Sequence, residues 1–415
     1  MKRLGVIGLG KRIRWMLQEI DKFATGAKLV AAIDPAEESI RARHPEVVEG
    51  VTFYDDVDRM LDEAGLDGVL IGTNCLYHTP YAIKVLERNL PLFLEKPVGI
   101  NEEQLAQLND AMRASKSDVV VSFPLRMSAL AIMAKEIVDS GVIGTVENVQ
   151  AINNVPFYGS NYYHGWMRDE SLTGGLWLQK ATHDLDYLTY LIGQAPQRMV
   201  AVESKTVFTG DMPAGLYCLD CPINDTCPES QKNLFYMQGI LDDMHNAEDW
   251  WDGRWQCSFA VDTGNHDSAT AILQYASGMH MTYTQNFYAR RGAAKRGATL
   301  IGYKGTVSFD WYSDEVVVHH HHTARVERHK LEATGAGHHG GDRELARDFL
   351  AILYGTGKSR ATLADGILSA QLCLMAKRSC ETNGFVPFEP LPGFESVTRA
   401  DAPTSTKAGV STPGA

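Results

Sequence analysis

The sequence predicts two consecutive units, a doubly wound parallel α/β sheet followed by an α+β domain with a large, open and mainly antiparallel sheet. Short apolar runs alternate with helical patterns over the first third of the 415-residue chain. After Val146 strand-like runs dominate, and glycine turns such as Ser277-Gly278 and Lys304-Gly305 separate the later ones. A chain of this length suits two domains of ordinary size.

The first unit is predicted from apolar runs of four to five residues that lie between helical segments. Such uninterrupted runs are typical of parallel strands that are buried on both faces. Strands are expected at Leu4–Gly8, Leu29–Asp34, Gly68–Ile71, Leu92–Glu95 and Val119–Phe123. Helices are expected at Lys11–Ile20, Asp56–Ala64, Thr79–Asn89 and Asn101–Ser115.

The second unit is predicted from strand-like runs with short connections, which imply antiparallel pairing. Strands are expected at Val146–Val155, Arg198–Phe208, Ala269–Tyr275, Met279–Phe287, Thr299–Ile301, Thr306–Phe309 and Glu315–His319, and helices at Asp342–Leu353 and Leu363–Cys380. We therefore expect domains over residues 1–124 and 125–390, with the helix 363–380 packing back on the first domain. The Ala-, Pro-, Ser- and Thr-rich composition predicts a flexible tail over 391–415.

Charge and composition exclude several classes of partner. The chain has 39 Lys and Arg against 51 Asp and Glu, a net charge of −12. A negative field repels phosphate backbones and anionic lipid, so neither a nucleic acid nor a membrane is an expected partner. No apolar stretch approaches the ~18 residues that span a bilayer, and the N-terminal one is too short for a signal peptide. Seven cysteines without a secretion signal indicate a reducing compartment, so a cytoplasmic location is expected.

A nucleotide-binding turn is predicted directly after the first strand. Gly8 and Gly10 follow that strand and open a helix, where glycines let the backbone approach a pyrophosphate. Asp34 ends the second strand, the usual place for a carboxylate that binds the adenosine ribose. Ile13 stands where the third glycine of the common GxGxxG pattern would be.

The choice between the two nicotinamide cofactors depends on the same carboxylate. Asp34 would repel a 2′-phosphate, so the expected cofactor is NAD. Arg12 and Arg14 lie close enough in sequence to leave NADP open as the alternative.

A series of short motifs in a fixed order resembles the Gfo/Idh/MocA oxidoreductases. The motifs are GLGKRIR from Gly8, Ala32-Ile33-Asp34, Thr73-Asn74 with His78, Glu95-Lys96-Pro97, Phe123-Pro124-Leu125-Arg126, Ile143-Gly144-Thr145-Val146, and Gly174-Gly175 followed by His183 and Asp186. The resemblance extends to about Pro390. It implies a Rossmann domain plus an α/β domain with a large open sheet, and NAD(P)-dependent activity mostly on sugars and cyclitols. It also implies that the cofactor site includes Arg12, Thr73, Asn74, His78 and Glu95.

Lys96 is the expected catalytic base. It follows a strand at the carboxyl edge of the predicted parallel sheet, where ligands bind in such folds. A lysine base needs a pKa well below its ordinary value, and burial would lower it. Glu95 would oppose that lowering if its side chain were close.

The helix over Leu176–Ile192 is expected to form a wall of the substrate site. At 100° per residue, one face carries Gln179, Lys180, His183, Asp186, Tyr187 and Tyr190. Lys180 and His183 are the catalytic candidates on that face, and Gln179 and Asp186 are substrate candidates. A lysine three residues before the histidine is similar to a less characterised branch of the family with a KxxHDxD helix.

Further substrate contacts are expected from an aromatic segment just before this helix and from the Phe123–Arg126 motif. Tyr163 and Trp166 could stack on sugar C–H faces, and Arg168 could bind hydroxyl or carboxylate groups. Simple core packing of the aromatic rings is the alternative. Arg126 is the substrate candidate of the earlier motif.

Four cysteines suggest a structural zinc site. Cys218, Cys221 and Cys227 have the spacing C-x2-C-x5-C, and Cys257 is a possible fourth ligand. Reduced loop cysteines are the alternative. In addition, a glycine-rich loop holds His338 and His339 before a helix, with Asp342 expected as its N-cap. The resemblance implies that one of these histidines could approach the active site.

The expected activity is NAD-dependent oxidation of a secondary hydroxyl of a sugar, sugar derivative or cyclitol. One alternative is a glycosidase or lyase in which tightly bound NAD oxidises the substrate transiently. A second is a nucleotide-binding sensor without catalysis. The open sheet and the resemblance favour a homodimer or homotetramer formed face to face.

Overall fold

A computed structural model describes residues 1–237, 255–332 and 337–394. The strands are β1 Lys2–Ile7, β2 Ala27–Ile33, β3 Thr52–Phe53, β4 Gly68–Ile71, β5 Leu92–Leu94, β6 Val119–Val121, β7 Val146–Asn154, β8 Arg198–Ser204, β9 Ser268–Gln274, β10 His280–Asn286, β11 Lys295–Gly302, β12 Gly305–Asp310, β13 Glu315–His320, β14 Val326–Lys330 and β15 Val386–Pro387. The α-helices are α1 Lys11–Asp21, α2 Glu37–Arg43, α3 Val57–Glu63, α4 His78–Glu87, α5 Glu102–Ala114, α6 Ala129–Asp139, α7 Glu170–Thr173, α8 Thr182–Ile192, α9 Gln231–Met237, α10 Gly341–Leu353 and α11 Leu363–Thr382. Over the described ranges, none of them combines the length and apolar character needed to cross a bilayer.

The first sheet has the strand order β3-β2-β1-β4-β5-β6, and its neighbouring strands pair in parallel. The strand order reverses between β1 and β4, so the ends of these two strands form the switch point at which such sheets bind ligands. The predicted doubly wound parallel sheet is therefore confirmed.

The second sheet has the order β14-β13-β12-β11-β7-β10-β9-β8-β15. Its pairs are antiparallel, with the exception of β7 and β10, which run parallel from Asn148 opposite His280 to Asn154 opposite Asn286. The predicted large, mainly antiparallel sheet is confirmed. The parallel pair was not predicted, because β7 and β10 are distant in sequence and turn residues reveal only neighbouring pairs.

A continuous apolar core runs through both sheets, and a smaller cluster lies apart from it at Val155, Tyr163, Leu176, Phe208 and Phe287. The helix α11 packs against α5 and β6 beside the first sheet, and also against α8 and β8. It thus contacts elements of both halves of the chain.

Several element boundaries differ from the sequence prediction. The strand expected to reach Phe208 ends at Ser204, because the carboxylate of Asp267 accepts the backbone N–H groups of Thr206, Val207 and Phe208 and turns the chain away. Gly340, in the left-handed region, is the N-cap of α10 instead of Asp342. The helix α6 and the edge strand β14 were not predicted. Of the tail expected over 391–415, residues from 395 onward lie outside the described ranges.

Candidate active site

The turn between β1 and α1 has the shape that a pyrophosphate requires. Gly8 has a φ of +84°, and a Cβ there would lie 2.8 Å from the backbone nitrogen of Thr73, so only glycine fits. A Cβ at Gly10 would meet only the carbonyl oxygen of Gly72, at 3.9 Å. The space next to Gly10, at the N-terminus of α1, is therefore open, and helix N-termini of this kind favour anions.

The missing third glycine of the GxGxxG pattern has a structural counterpart on β4. Ile13 is fully buried, and a Cβ at Gly72 would lie 2.2 Å from its Cγ1 atom. The third glycine usually allows the helix and the strand to approach closely. Here Gly72 allows that close approach. The Ile13 substitution is thus compatible with the nucleotide-binding turn.

Asp34 ends β2 beside this turn. Its Oδ2 accepts the backbone N–H of Leu9 at 2.7 Å, and its Oδ1 accepts that of Ala36 at 2.8 Å. Carboxylate oxygens each have two lone pairs, so both can still accept ribose hydroxyls. An open cleft of about 770 Å³ lies next to it, lined by Asp34, Pro35, Ala36, Glu37, Glu38, Ser39, Phe53, Tyr54, Asp55 and Arg59. Four of the ten lining residues are acidic, which disfavours an additional phosphate.

Arg12 points away from the ribose end. Its Nε donates to Glu95 at 2.8 Å, and its Nη2 donates to Asp342 at 2.7 Å and to the hydroxyl of Ser122 at 2.9 Å. The guanidinium of Arg14 donates to the carbonyl oxygen of Leu9 at 3.1 Å. These contacts weaken the argument for NADP, since both guanidinium groups already have partners within the protein.

His78 connects the loops that follow β4 and β5. Its Nδ1 lies 2.7 Å from the carbonyl oxygen of Pro97, and its Nε2 lies 3.0 Å from that of Thr73. Burial lowers the pKa of His78, so the ring is neutral and donates to one of the two carbonyls. Thr73 donates its hydroxyl to the carbonyl oxygen of Asn74. His78 thus holds the loop of Thr73 and Asn74 against the segment that carries Lys96.

Lys96 extends from the carboxyl end of β5 toward the second domain. Its Nζ donates to the backbone carbonyl oxygen of Gln179 at 2.8 Å. Burial lowers its pKa, as expected, while Glu95 opposes the shift and Arg12 and Arg296 add to it. Because Glu95 is itself paired with Arg12, its effect on Lys96 is partly neutralised. A buried amine with a lowered pKa suits a general base.

The segment Trp177–Ala181 forms a single wide π-helical turn before α8. Turns of this kind occur often at functional sites, and they change the angular spacing of the side chains. The predicted single polar face of the helix is therefore wrong, because side chains are buried all around α8. The side-chain amide of Gln179 donates to the carbonyl oxygen of Met167. Lys96 contacts the backbone carbonyl oxygen of Gln179 within this turn, and not its side chain.

Lys180 and His183 lie next to Lys96. Burial lowers the pKa of both side chains well below their ordinary values. The nearby positive charges of Lys96 and Arg296 lower the pKa of each further. The Nζ of Lys180 lies 5.8 Å from the ring centre of Tyr162, a residue that the sequence did not single out. The ring of His183 stands edge-on to Phe123. The three catalytic candidates are therefore brought together, although their roles stay predictions.

The sequence missed the buried carboxylate beneath these groups. Asp184 is completely buried and accepts hydrogen bonds from Arg296, Asn153 and Tyr283 at 2.7–2.8 Å. The helical wheel placed Asp184 on neither the polar nor the core face. Its partners come from three different strands, β7, β10 and β11, so no local sequence pattern reveals the cluster.

Other predicted substrate residues have partners within the protein. Arg126 forms a bidentate pair with Asp186 at 2.9 and 2.5 Å and also contacts Asp365. Tyr163 is buried and donates its hydroxyl to the carbonyl oxygen of His266. The guanidinium of Arg168 donates to the carboxylate of Asp262 and to the hydroxyl of Thr263. Trp166, in contrast, is 41% exposed. Arg126, Asp186, Tyr163 and Arg168 therefore each have a partner within the protein. The substrate roles of these residues and of Trp166 stay predictions.

The four cysteines of the suggested zinc site line one cavity of about 20 Å³. All seven cysteines of the chain are free thiols. Over residues 1–237, 255–332 and 337–394, however, no group of three or more His, Cys, Asp or Glu side chains is arranged to hold a metal ion. The predicted structural zinc at Cys218, Cys221, Cys227 and Cys257 is therefore not supported.

Comparison with characterised sequences identifies several similar proteins. The protein YteT of Bacillus subtilis, which is named as an oxidoreductase, is 25% identical over 333 residues, covering 74% of this chain and 76% of its own. A scyllo-inositol 2-dehydrogenase (NAD(+)) of the same organism is 26% identical over 202 residues, or 46% of this chain and 54% of its own. The chain thus spans only about half the length of this inositol dehydrogenase.

Solved structures with the same fold include two dehydrogenases. Levoglucosan dehydrogenase in complex with NADH has a TM-score of 0.72 at 17% identity, covering 94% of this chain and 99% of its own. The myo-inositol 2-dehydrogenase of Lactobacillus plantarum has a TM-score of 0.66 at 19% identity, covering 94% and 99%.

Two family models match consecutive parts of the sequence. Residues 2–123 match the oxidoreductase family with an NAD-binding Rossmann fold. Residues 132–308 match the C-terminal domain of the GFO/IDH/MocA proteins. Together these matches cover well over half of the chain, which therefore belongs to the Gfo/Idh/MocA family of oxidoreductases.

Proposed function

We propose that the protein is an NAD-dependent dehydrogenase that oxidises a secondary hydroxyl of a sugar, sugar derivative or cyclitol. The observation that carries the proposal is the meeting of Lys96, from the carboxyl edge of the first sheet, with Lys180 and His183 of the second domain. Family membership supports the reaction type. The relatives named as inositol dehydrogenases, and the fold shared with levoglucosan dehydrogenase, support the substrate class.

The residues at the cofactor end suit NAD. The turn at Gly8 and Gly10 would hold the pyrophosphate at the N-terminus of α1, and Asp34 would accept the ribose hydroxyls. When bound, NAD accepts a hydride from the substrate carbon. Thr73 and Asn74 lie at the end of β4, beside the same turn, and we assign them to the cofactor as well.

Lys96 takes the proton of the substrate hydroxyl in this proposal. Burial lowers its pKa, so the unprotonated amine that accepts the proton is more accessible than in an exposed lysine. Arg296, whose charge acts on Lys180, adds positive charge to the site, which stabilises the negative charge that develops as the proton leaves; Lys180 adds an N–H donor. His183 is held edge-on by Phe123 and orients the hydroxyl.

We also propose that the open face of the second sheet pairs two or more copies, and that the protein works in the cytoplasm. Val202 and Ile272, on the neighbouring strands β8 and β9 of that sheet, are 66% and 43% exposed, which is unusual for large apolar side chains in a sheet. Free thiols at all seven cysteines suit a reducing compartment.

A panel of sugars and cyclitols incubated with NAD tests the proposed activity. At least one compound should yield NADH, measured by absorbance, in equal amount to the ketone formed. Cleavage of a glycosidic or other substrate bond without net NADH would favour transient oxidation by bound NAD instead. Binding of NAD without turnover of any compound would favour the sensor.

Cofactor preference follows from the acidic cleft at Asp34. Calorimetric titration should show tighter binding of NAD than of NADP, and Asp34→Ala should reduce the difference by removing a like-charge contact with the 2′-phosphate. Glu49→Ala is the control, since it removes one exposed negative charge outside the cleft. Tighter binding of NADP by the unmodified protein would refute the assignment.

Replacement of the base should remove catalysis and leave cofactor binding intact. Lys96→Ala should lose about 10²–10⁴ in kcat, the usual effect of removing a general base. Lys96→Arg should not restore activity, because a guanidinium stays protonated. The exposed Lys116→Ala serves as the control. A folded Lys96→Ala protein with full kcat would overturn the mechanism and move attention to His183 and Lys180.

A further inference from the structure

The oxidation proposed above releases a proton inside a largely closed site. Oxidation of one secondary hydroxyl by NAD gives one ketone, one NADH and one proton, and the proton goes first to Lys96. Burial lowers the pKa of Lys96, Lys180 and His183, so each releases a proton more readily than it would in water. The reaction therefore needs a group that connects them with water.

His338 occupies the position between the buried histidine and solvent. Its ring centre lies 6.2 Å from that of His183, with the planes inclined by 37°. The side chain of His338 is 42% exposed, whereas His183 is 8% exposed. Moreover, the Nδ1 atom of His183 is buried and has no hydrogen-bond partner among the residues that the structure describes.

A buried carboxylate orients the ring of His338. Its Nδ1 lies 2.9 Å from the Oδ2 atom of Asp342, which is almost completely buried and also pairs with Arg12. Burial alone would raise the pKa of Asp342, but Arg12 and His338 outweigh it and hold the pKa below its ordinary range. The carboxylate is thus ionised and accepts the Nδ1 proton, which leaves Nε2 to take up and release a second proton.

The backbone holds this histidine in an unusual conformation. His338 and His339 have φ values of 48° and 54°, and Gly340 follows with 86°. Residues other than glycine are strained in the left-handed region and persist there where the surroundings fix them. Here Asp342 fixes His338, and Asp314 fixes His339 at 3.1 Å. The loop therefore presents His338 to the site at some conformational cost.

We propose that His338 is the proton-release residue of this enzyme, which receives the substrate proton from Lys96 by way of His183 and passes it to water. The inference rests on the proposed dehydrogenase activity. The groups that face His338 are Asp342, His183 and His339, and those that act on His183 are Lys96, Arg296, His338 and Lys180. No bond other than O–H or N–H is made or broken along this path.

Paired asparagine variants test the proposal, since asparagine tolerates the left-handed conformation better than most residues. His338→Asn should lower kcat by at least about 10-fold, less than loss of the base itself, with NAD affinity and KM unchanged. Added imidazole should restore the rate in proportion to its concentration. His339→Asn has the same backbone geometry but pairs with Asp314, and it should keep the kcat of the unmodified protein.

The outcomes separate the two proposals. If the unmodified protein produces NADH and His338→Asn retains its kcat, the proton path is refuted while the dehydrogenase stands. A loss of kcat that imidazole does not restore, or one accompanied by weaker NAD binding, would make His338 a structural residue and would also refute the path. Absence of NADH from the unmodified protein with every compound would overturn the dehydrogenase and the path together.

Discussion

The two ion pairs of Arg12 connect the parts of the molecule on which the proposed chemistry depends. Arg12 lies in the first turn of the cofactor helix α1, Glu95 precedes the proposed base, and Asp342 lies in the first turn of α10 and holds His338. One guanidinium thus fixes the cofactor turn, the base and the proposed proton-release residue relative to one another. Its fork of donors allows this arrangement, which a lysine at position 12 could not reproduce.

The same pairing determines the charge balance of the site. Glu95 directs one oxygen at Arg12, so it cannot fully neutralise Lys96. In the second domain Asp184 is similarly occupied by Arg296, Asn153 and Tyr283. Lys96, Lys180 and Arg296 therefore outnumber the carboxylates available to them. Burial first, and then the neighbouring basic groups, lower the pKa of the amines, and the charge of Arg296 stabilises an alkoxide; both effects assist removal of a hydroxyl proton.

The sequence predicted those features that local pattern determines. Both sheets, the turn at Gly8 and Gly10, the place of Asp34 and that of Lys96 follow from strand ends and spacing within short segments. Contacts across the fold could not be obtained in this way. Examples are the compensation of Ile13 by Gly72 and the pairing of Arg12 with Asp342, which is 330 residues distant. The π turn before His183 was also hidden, because a helical wheel assumes constant spacing.

Burial, which lowers the pKa of Lys96, prepares this side chain for the proposed role of base. Competitive labelling with a small amine-reactive reagent, followed by mass spectrometry of the Lys96 peptide over a range of pH, measures its titration directly, with N-acetyl-lysine as the reference amine. We expect Lys96 to gain reactivity at a lower pH than the reference, whose pKa is about 10.4. Titration of Lys96 at or above that of the reference would contradict it.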